Sequence, residues 1–314
     1  MTSFAFVFPG QGSQAVGMLD AWGDHPAVKA TLQEASDALG EDVGRLIHEG
    51  PKEALALTTN TQPVMLVAGI AAWRAWKAEG GADPVAVAGH SLGEYSALVA
   101  AGALTLAQAA PLVRFRAQAM QQAVPVGTGA MAAILGLDPG RVAEICAETS
   151  ASLGGEETAE AVNFNDPGQT VIAGTKAAVD QACIALKAAG AKRALPLPVS
   201  APFHSSLMKP AAEKLREHLA SLDVAAPKIP VLNNIDVAFE SDTVAIREAL
   251  YRQAFGPVRW VECIAAFKRY GVSHVVECGP GKILSGLTKR IDPGLASSVI
   301  YDPTTLADTK LLLG

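Results

Sequence analysis

The sequence predicts an α/β protein, with a large domain on a parallel sheet and one small β-α-β-β-α-β subdomain inserted into it. Three observations predict this. Short apolar runs of strand length alternate with helix-period segments in the first third, the pattern of a sheet buried on both faces. Near Thr128 the pattern changes to strands and helices in the order β-α-β-β-α-β, and after Leu197 the first pattern resumes. With 314 residues, half of them hydrophobic, there is material for one large core and a smaller unit, but not for three domains.

The elements follow in order. Phe4 to Phe8 is an apolar strand closed by Pro9-Gly10. Thr61-Gln62-Pro63 predicts a helix start, with Thr61 as cap and Pro63 in the first turn, leading into Val64 to Lys77. Asp83-Pro84 breaks the chain before a strand from Val85 to Ala88, and Glu94 to Ala101 is rich in helix formers. Thr105-x-x-Gln108 is a capping box opening a helix towards Gln121. Ala130 to Leu135 then reads as a strand, Asp138-Pro139 as the start of a helix to Thr149, and Ala161 to Asn165 and Val171 to Ala173 as short strands. Thr175 caps a helix to Ala188, and Lys192 to Leu195 is the last strand of the insert. Pro196 and Pro198, which cannot continue a central strand, mark the return to the large domain. The expected boundaries are 128–197 for the subdomain and 1–127 with 198–314 for the large domain. Val231 to Asn233 and His274 to Cys278 are further strands of the large domain, the second closed by Gly279-Pro280-Gly281.

Composition excludes several classes. A net charge of -6 with no long run of Lys and Arg gives no reason to expect a nucleic-acid partner. Cys146, Cys183, Cys263 and Cys278 are widely spaced with no C-x-x-C pair, which fits reduced thiols better than a disulfide framework or a metal site. Met1 to Pro9 lacks a basic leader region, and the apolar stretch Ala97 to Val113 is interrupted by Gly102, Gln108 and Pro111. A cytoplasmic protein without membrane spans or bound metal is expected.

Gly89-His90-Ser91-Leu92-Gly93 matches Gly-x-Ser-x-Gly. The pentapeptide alone is weak, because chance supplies it in many chains of this length. Its context is stronger, since it follows a predicted strand and opens a predicted helix, the setting of a nucleophile elbow. A serine hydroxyl needs a base. Of six histidines, His25, His48, His218 and His274 lie in polar or helical surroundings, and His90 projects away from the serine and is better suited to supporting the turn. His204, in Ser200-Ala201-Pro202-Phe203-His204-Ser205-Ser206, sits in a loop re-entering the large domain and is the chosen base. Pro9-Gly10-Gln11-Gly12-Ser13-Gln14 follows the first strand at the same sheet edge. The next glycine, Gly17, is misplaced for a dinucleotide fingerprint and no Lys-Ser or Lys-Thr follows, so the loop is better used for an oxyanion hole. The amides of Gln11 and Leu92 would supply it, each such donor being worth about a hundredfold to a thousandfold in rate.

These pieces, with Phe8 to Gln14, Met120-Gln121-Gln122-Ala123-Val124-Pro125, Gly129-Ala130-Met131, Asn163-Phe164-Asn165, Pro202 to Ser205, Gln253 and Glu277 to Gly281, span nearly the whole chain. Together they resemble the malonyl-CoA:acyl carrier protein transacylases. The resemblance implies an α/β-hydrolase-like large domain with a ferredoxin-like small one, Ser91 as nucleophile, His204 as base, and the main-chain carbonyl of Gln253 as the group orienting the imidazole. It also implies that Arg116 pairs with the free carboxylate of a malonyl group, although Ala117 stands where relatives often carry glycine. Leu92 and Phe203 resemble the malonyl-selecting forms of their motifs. Met120, Met131 and Asn165 are expected at the acyl pocket. The implied partners are malonyl-CoA and an acyl carrier protein that brings its own phosphopantetheine, with no other cofactor, and the chain is expected to be a monomer. Lys187, Lys192, Arg193, Lys282, Lys289 and Arg290 are candidates for a carrier-docking patch. A serine hydrolase would share the elbow without needing Arg116, and a non-catalytic scaffold would not need Ser91 and His204.

Overall fold

The structure, a computed structural model, describes residues 2–199 and 201–314; Met1 and Ser200, the latter in the loop that carries His204, lie outside the described residues. Ten strands fall into two sheets. β1 (Phe4–Phe8), β2 (Ala86–Gly89), β7 (Val231–Leu232), β8 (Phe239–Glu240), β9 (His274–Cys278) and β10 (Ala296–Ile300) form one, in the order β10-β9-β1-β2-β7-β8. All its pairings are parallel except β7 with β8. β3 (Gly129–Leu135), β4 (Ala159–Asp166), β5 (Gln169–Thr175) and β6 (Arg193–Pro196) form the other, fully antiparallel and ordered β4-β5-β3-β6. Helices Pro139–Leu153 and Lys176–Ala188 follow β3 and β5, so the chain order is β-α-β-β-α-β, as expected from the sequence.

Central strands β1, β2 and β9 are buried along their whole length, which is why they read as continuous apolar runs rather than alternating ones. One side of the sheet packs on the long helix Thr58–Ala78 and the helices Gly93–Ala100 and Leu106–Gln121, with Phe6 edge-on to Trp73 and Trp76. The opposite side packs on Trp260, Ile264 and Phe267 of the helix Trp260–Arg269. Because the central strands are parallel and in register, Phe8 beside Gly89, the segments leaving β1, β2 and β7 emerge together at one edge. That edge faces the antiparallel sheet. β4 is tied to the large domain by main-chain bonds from Phe164 to Val258 (2.9 Å) and from Val258 back to Val162 (2.8 Å), and by the Arg290–Asp166 ion pair (2.6 Å).

Three expectations need correction. The helix expected to start at Thr61 begins at Thr58, with Leu57 ahead of it, and Pro63 lies inside it. Thr61 is no cap; its hydroxyl donates back to the carbonyls of Leu55 (2.5 Å) and Leu57 (3.0 Å). Burial of Thr61, Gln62 and Pro63 against the core outweighs the one hydrogen bond that Pro63 forfeits near the helix start. Thr175 precedes its helix without capping it through its side chain, because its hydroxyl is turned to Glu157. Strands β8 and β10 were not anticipated, being a two-residue antiparallel edge and a half-exposed edge respectively.

The elbow glycines have a steric job. A Cβ on Gly89 would lie 1.8 Å from the Gly93 carbonyl carbon, and one on Gly93 would lie 2.0 Å from the Phe8 carbonyl oxygen. Backbone cannot move aside as a flexible side chain can. Gly93→Ala is therefore expected to destabilise the fold by about 3 kcal/mol, the upper range for overpacking, measured as a fall in the urea midpoint of unfolding; an unchanged midpoint would refute this account of the turn.

Candidate active site

Ser91 follows β2 at φ +53°, a conformation that pushes its side chain out of the sheet edge, and His204 also sits in the left-handed region, at φ +66°. The two side chains meet there. The Ser91 hydroxyl lies 2.7 Å from His204 Nε2, and His204 Nδ1 lies 2.9 Å from the main-chain carbonyl of Gln253. Nδ1 can only donate to a carbonyl, so this pairing places the proton on Nδ1 and leaves Nε2 to accept from the serine. Gln253 comes from the helix Thr243–Phe255 and is fully buried. Among the described residues no carboxylate bonds the imidazole.

Arg116, on the helix Leu106–Gln121, is 3% exposed. Its Nη1 donates to Gln62 Oε1 (2.7 Å), and its Nη2 reaches Gln253 Oε1 (3.1 Å) and Ser91 Oγ (3.3 Å). The guanidinium carbon lies 5.4 Å from the Tyr95 ring centroid. Among the described residues no carboxylate forms an ion pair with it. A buried cation held by neutral amides is poised for an anion. Glu94, the nearby carboxyl, is pushed up to about 7 by burial, against the lowering effect of hydrogen bonds from Gln253 and Asn234.

The cavity above the serine has a free volume of about 270 Å³. Gln11, Leu92 and Arg116 line it from the large domain, Phe203 from the His204 loop, and Met131 and Asn165 from the antiparallel sheet. Of the residues expected at the site, Met120 and Gln253 are absent from its wall, Gln253 lying buried behind His204. Gln62 comes between Met120 and the cavity, its amide facing the Met120 sulfur at 4.0 Å, so Met120 packs in the large core. Neither the Gln11 amide nor the Leu92 amide donates to a protein acceptor among the described residues, and both residues border the cavity. His90 turns away from the serine as expected, its Nε2 2.8 Å from Asn165 Oδ1 and its ring against Trp260. The other histidines are engaged elsewhere: His25 at a helix start, His48 with Asp20, His218 stacked on Phe115 and His274 with Ser298.

Sequence reasoning missed Gln62, Asn234, Glu94 and the side chain of Gln253. Gln62 was read as part of a helix start, and Asn234 lies just past the strand expected at Val231 to Asn233 and was given no role. Among the described residues no group of His, Cys, Asp and Glu could hold a metal ion, and no helix is long and apolar enough to cross a membrane. All four cysteines are free.

Burial, and secondarily the Arg116 cation, push His204 down to about 3. Both effects disfavour imidazolium, so the base stays neutral and available through the range where a free histidine titrates. With acetyl-CoA as donor, which has no carboxylate of its own to titrate, kcat/KM is expected to show no acidic limb between about pH 8 and about pH 5. Arg116→Gln should move the limb towards higher pH. A wild-type midpoint near the ordinary histidine value would contradict this electrostatic picture.

The fold and the Ser91–His204 pair suit acyl-group chemistry, and the profile of the acyl transferase domain matches residues 5–289: the chain belongs to that family. It is an enzyme of the acyltransferase class. Within the class it is most informatively compared with the malonyl CoA-acyl carrier protein transacylase of Salmonella typhimurium, to which it is 53% identical over 308 residues, covering 98% of each chain. The crystal structure of the acyl-carrier-protein S-malonyltransferase of Burkholderia pseudomallei is 64% identical and superposes with a TM-score of 0.96, covering 99% of this chain and all of that one. A type II polyketide malonyl-transacylase, solved in complex with its acyl-carrier protein, is 49% identical with a TM-score of 0.96 over 99% of this chain and all of that one.

Proposed function

We propose that the protein transfers a malonyl group from malonyl-CoA to the phosphopantetheine thiol of an acyl carrier protein, through a malonyl ester on Ser91. The observation that carries this reading is the pairing of a Ser91–His204 dyad with a buried Arg116 that has no carboxylate partner among the described residues, all lining one cavity.

His204 Nε2 takes the Ser91 proton as Oγ attacks the thioester carbonyl. The developing oxyanion is held by the Gln11 and Leu92 amides, which have no competing acceptor among the described residues. The intermediate collapses, the C–S bond breaks, and the proton on Nε2 passes to the departing CoA sulfur. The second half reverses the sequence: the carrier thiol gives its proton to His204, its sulfur attacks the ester, and Ser91 leaves as a hydroxyl. Gln253 presents only a carbonyl dipole, which fixes the imidazole without adding a second negative charge.

Arg116 gives the selectivity. A planar guanidinium takes a carboxylate through two parallel hydrogen bonds, whereas an acetyl group leaves it facing the cavity unpaired. Phe203, Met131 and Asn165 shape the remaining wall. No cofactor is needed, since the acyl carrier is the substrate on either side. For docking, Lys187, Lys192, Arg193, Lys282 and Lys289 are exposed, while Arg290 is engaged with Asp166. The three relatives compared above are all named for malonyl transfer, and one is bound to its carrier, which supports the choice of donor and acceptor.

A panel of malonyl-, methylmalonyl- and acetyl-CoA with a holo carrier protein tests the reading. Malonyl-carrier should form fastest, and only when the carrier bears phosphopantetheine. Rapid hydrolysis of all donors without carrier dependence would overturn it in favour of a hydrolase.

A further inference from the structure

The acyl-transfer steps need only the main-chain carbonyl of Gln253, which any residue would offer, and do not involve Asn234. Yet both side chains are fully buried at the back of the elbow, and both end on Ser91. Asn234, just beyond β7, accepts the Ser91 N–H on Oδ1 (2.8 Å) and donates from Nδ2 to the Gly89 carbonyl (2.8 Å). Gln253 Nε2 donates to the Ser91 carbonyl (3.1 Å), which also receives the Glu94 amide (3.1 Å). The other end of Gln253 faces the selectivity residue, with Oε1 accepting from Arg116 Nη2 (3.1 Å). Asn234 is itself anchored, its main-chain N–H donating to Glu94 Oε2 (2.8 Å).

We propose that the side-chain amides of Asn234 and Gln253 are positioning residues that clamp both peptide groups of Ser91, and that Gln253 also keeps Arg116 in register with the nucleophile. The need is geometric. At φ +53° Ser91 leaves the parallel ladder, so its N–H points to no strand neighbour and would be an orphan without Asn234. Arg116 comes from a different helix, so the distance between the reacting hydroxyl and the guanidinium depends on packing alone unless something bridges them. Gln253 is that bridge. An amide serves where a carboxylate would not, because it donates to one partner and accepts from the other, and because it leaves the Arg116 charge for the substrate.

The two side chains therefore have different signatures, which rests on the malonyl-transfer reading being right. Single-turnover acylation of Ser91 and steady-state KM are measured with malonyl-CoA and acetyl-CoA. Asn234→Ala should slow acylation by both donors alike, about tenfold, with KM and the malonyl-to-acetyl ratio unchanged, as expected for a misplaced nucleophile. Gln253→Met keeps length and shape but removes the side-chain hydrogen bonds to Ser91, Arg116 and Glu94, and should lower the malonyl-to-acetyl ratio about tenfold. In an Arg116→Ala background the same change should leave that ratio where it was. Near-isosteric Asn234→Asp and Gln253→Glu guard against loss of folding. Asn234→Asp keeps the acceptor for Ser91 but turns an oxygen on the Gly89 carbonyl, so acylation should still slow without a change in ratio. Gln253→Glu puts a carboxylate on Arg116 and should lower the ratio further than Gln253→Met. Equal loss for both donors in both Gln253 variants, or a ratio change that persists without Arg116, would overturn the bridge. Full acylation rates in both Asn234 variants would overturn the clamp. A wild-type protein that forms no acyl-Ser91 would instead sink the underlying reading.

Discussion

Ser91→Ala is expected to reduce malonyl transfer to the carrier by about four orders of magnitude or more, to the level of uncatalysed exchange. In the proposed two-thiol exchange the thiols of Cys263 and Cys278 cannot stand in for Ser91, since both are buried in the cores and burial pushes both well above the ordinary thiol range. His204→Ala should come close to the same loss, because the two residues act as a unit and removal of either leaves only binding and the oxyanion amides. Neither change should unfold the protein: both shorten side chains that face the cavity. Equal melting temperatures for wild type and variants, measured alongside the transfer assay, separate loss of chemistry from loss of fold. Transfer that survives Ser91→Ala at more than a few per cent would mean direct thiol-to-thiol exchange and would remove the ester from the mechanism.

Arg116→Ala has the second large effect, and its sign depends on the donor. Malonyl transfer should fall by about two to three orders of magnitude, since the substrate carboxylate would enter a largely dry site with no counter-charge. Acetyl transfer should persist or rise. In the wild type the guanidinium contacts the Ser91 hydroxyl at 3.3 Å and helps to hold His204 low, so its removal frees the nucleophile and strengthens the base. Gln62 and Gln253 lose a donor each, and Gln62, which lines the cavity, can turn its amide to cavity water. Equal losses for malonyl-CoA and acetyl-CoA would show Arg116 to be a packing residue of the helix rather than a reader of the acyl group.

How far the sequence announces this arrangement differs from residue to residue. Ser91 is legible because the elbow has a local grammar: an apolar strand, glycines where Cβ atoms would collide with backbone, then helix formers. The capping box at Thr105 is local too, and it is present as expected, with Thr105 and Gln108 satisfying each other's backbone. His204 is legible only through its wider motif, since a loop histidine carries no mark of its partner 113 positions away. Arg116 on its own reads as a surface charge on a helix, and the structure buries it. Gln253 presents a main-chain carbonyl to His204, a role that imposes no side-chain type and therefore leaves no local signal. Asn234 and Gln62 were hidden for another reason. Each makes its contact across 50 residues or more, so only the fold brings them to the serine and the arginine. Met120 shows the converse: four residues after Arg116 and on the same helix face, it is nonetheless kept from the cavity by the Gln62 side chain of a neighbouring helix.

The proposed mechanism has Ser91 hold the acyl group between two thiols and shield it from water. Its most direct test is a chase: the protein is mixed with malonyl-CoA, freed of excess donor, and followed by intact-protein and peptide mass spectrometry before and after addition of a holo carrier protein. The account predicts one malonyl group on the peptide containing Ser91, persistent in buffer and moved to the carrier thiol within the time of a catalytic cycle. A malonyl group found on another residue, or one lost to water as fast with carrier absent as with it present, would contradict it.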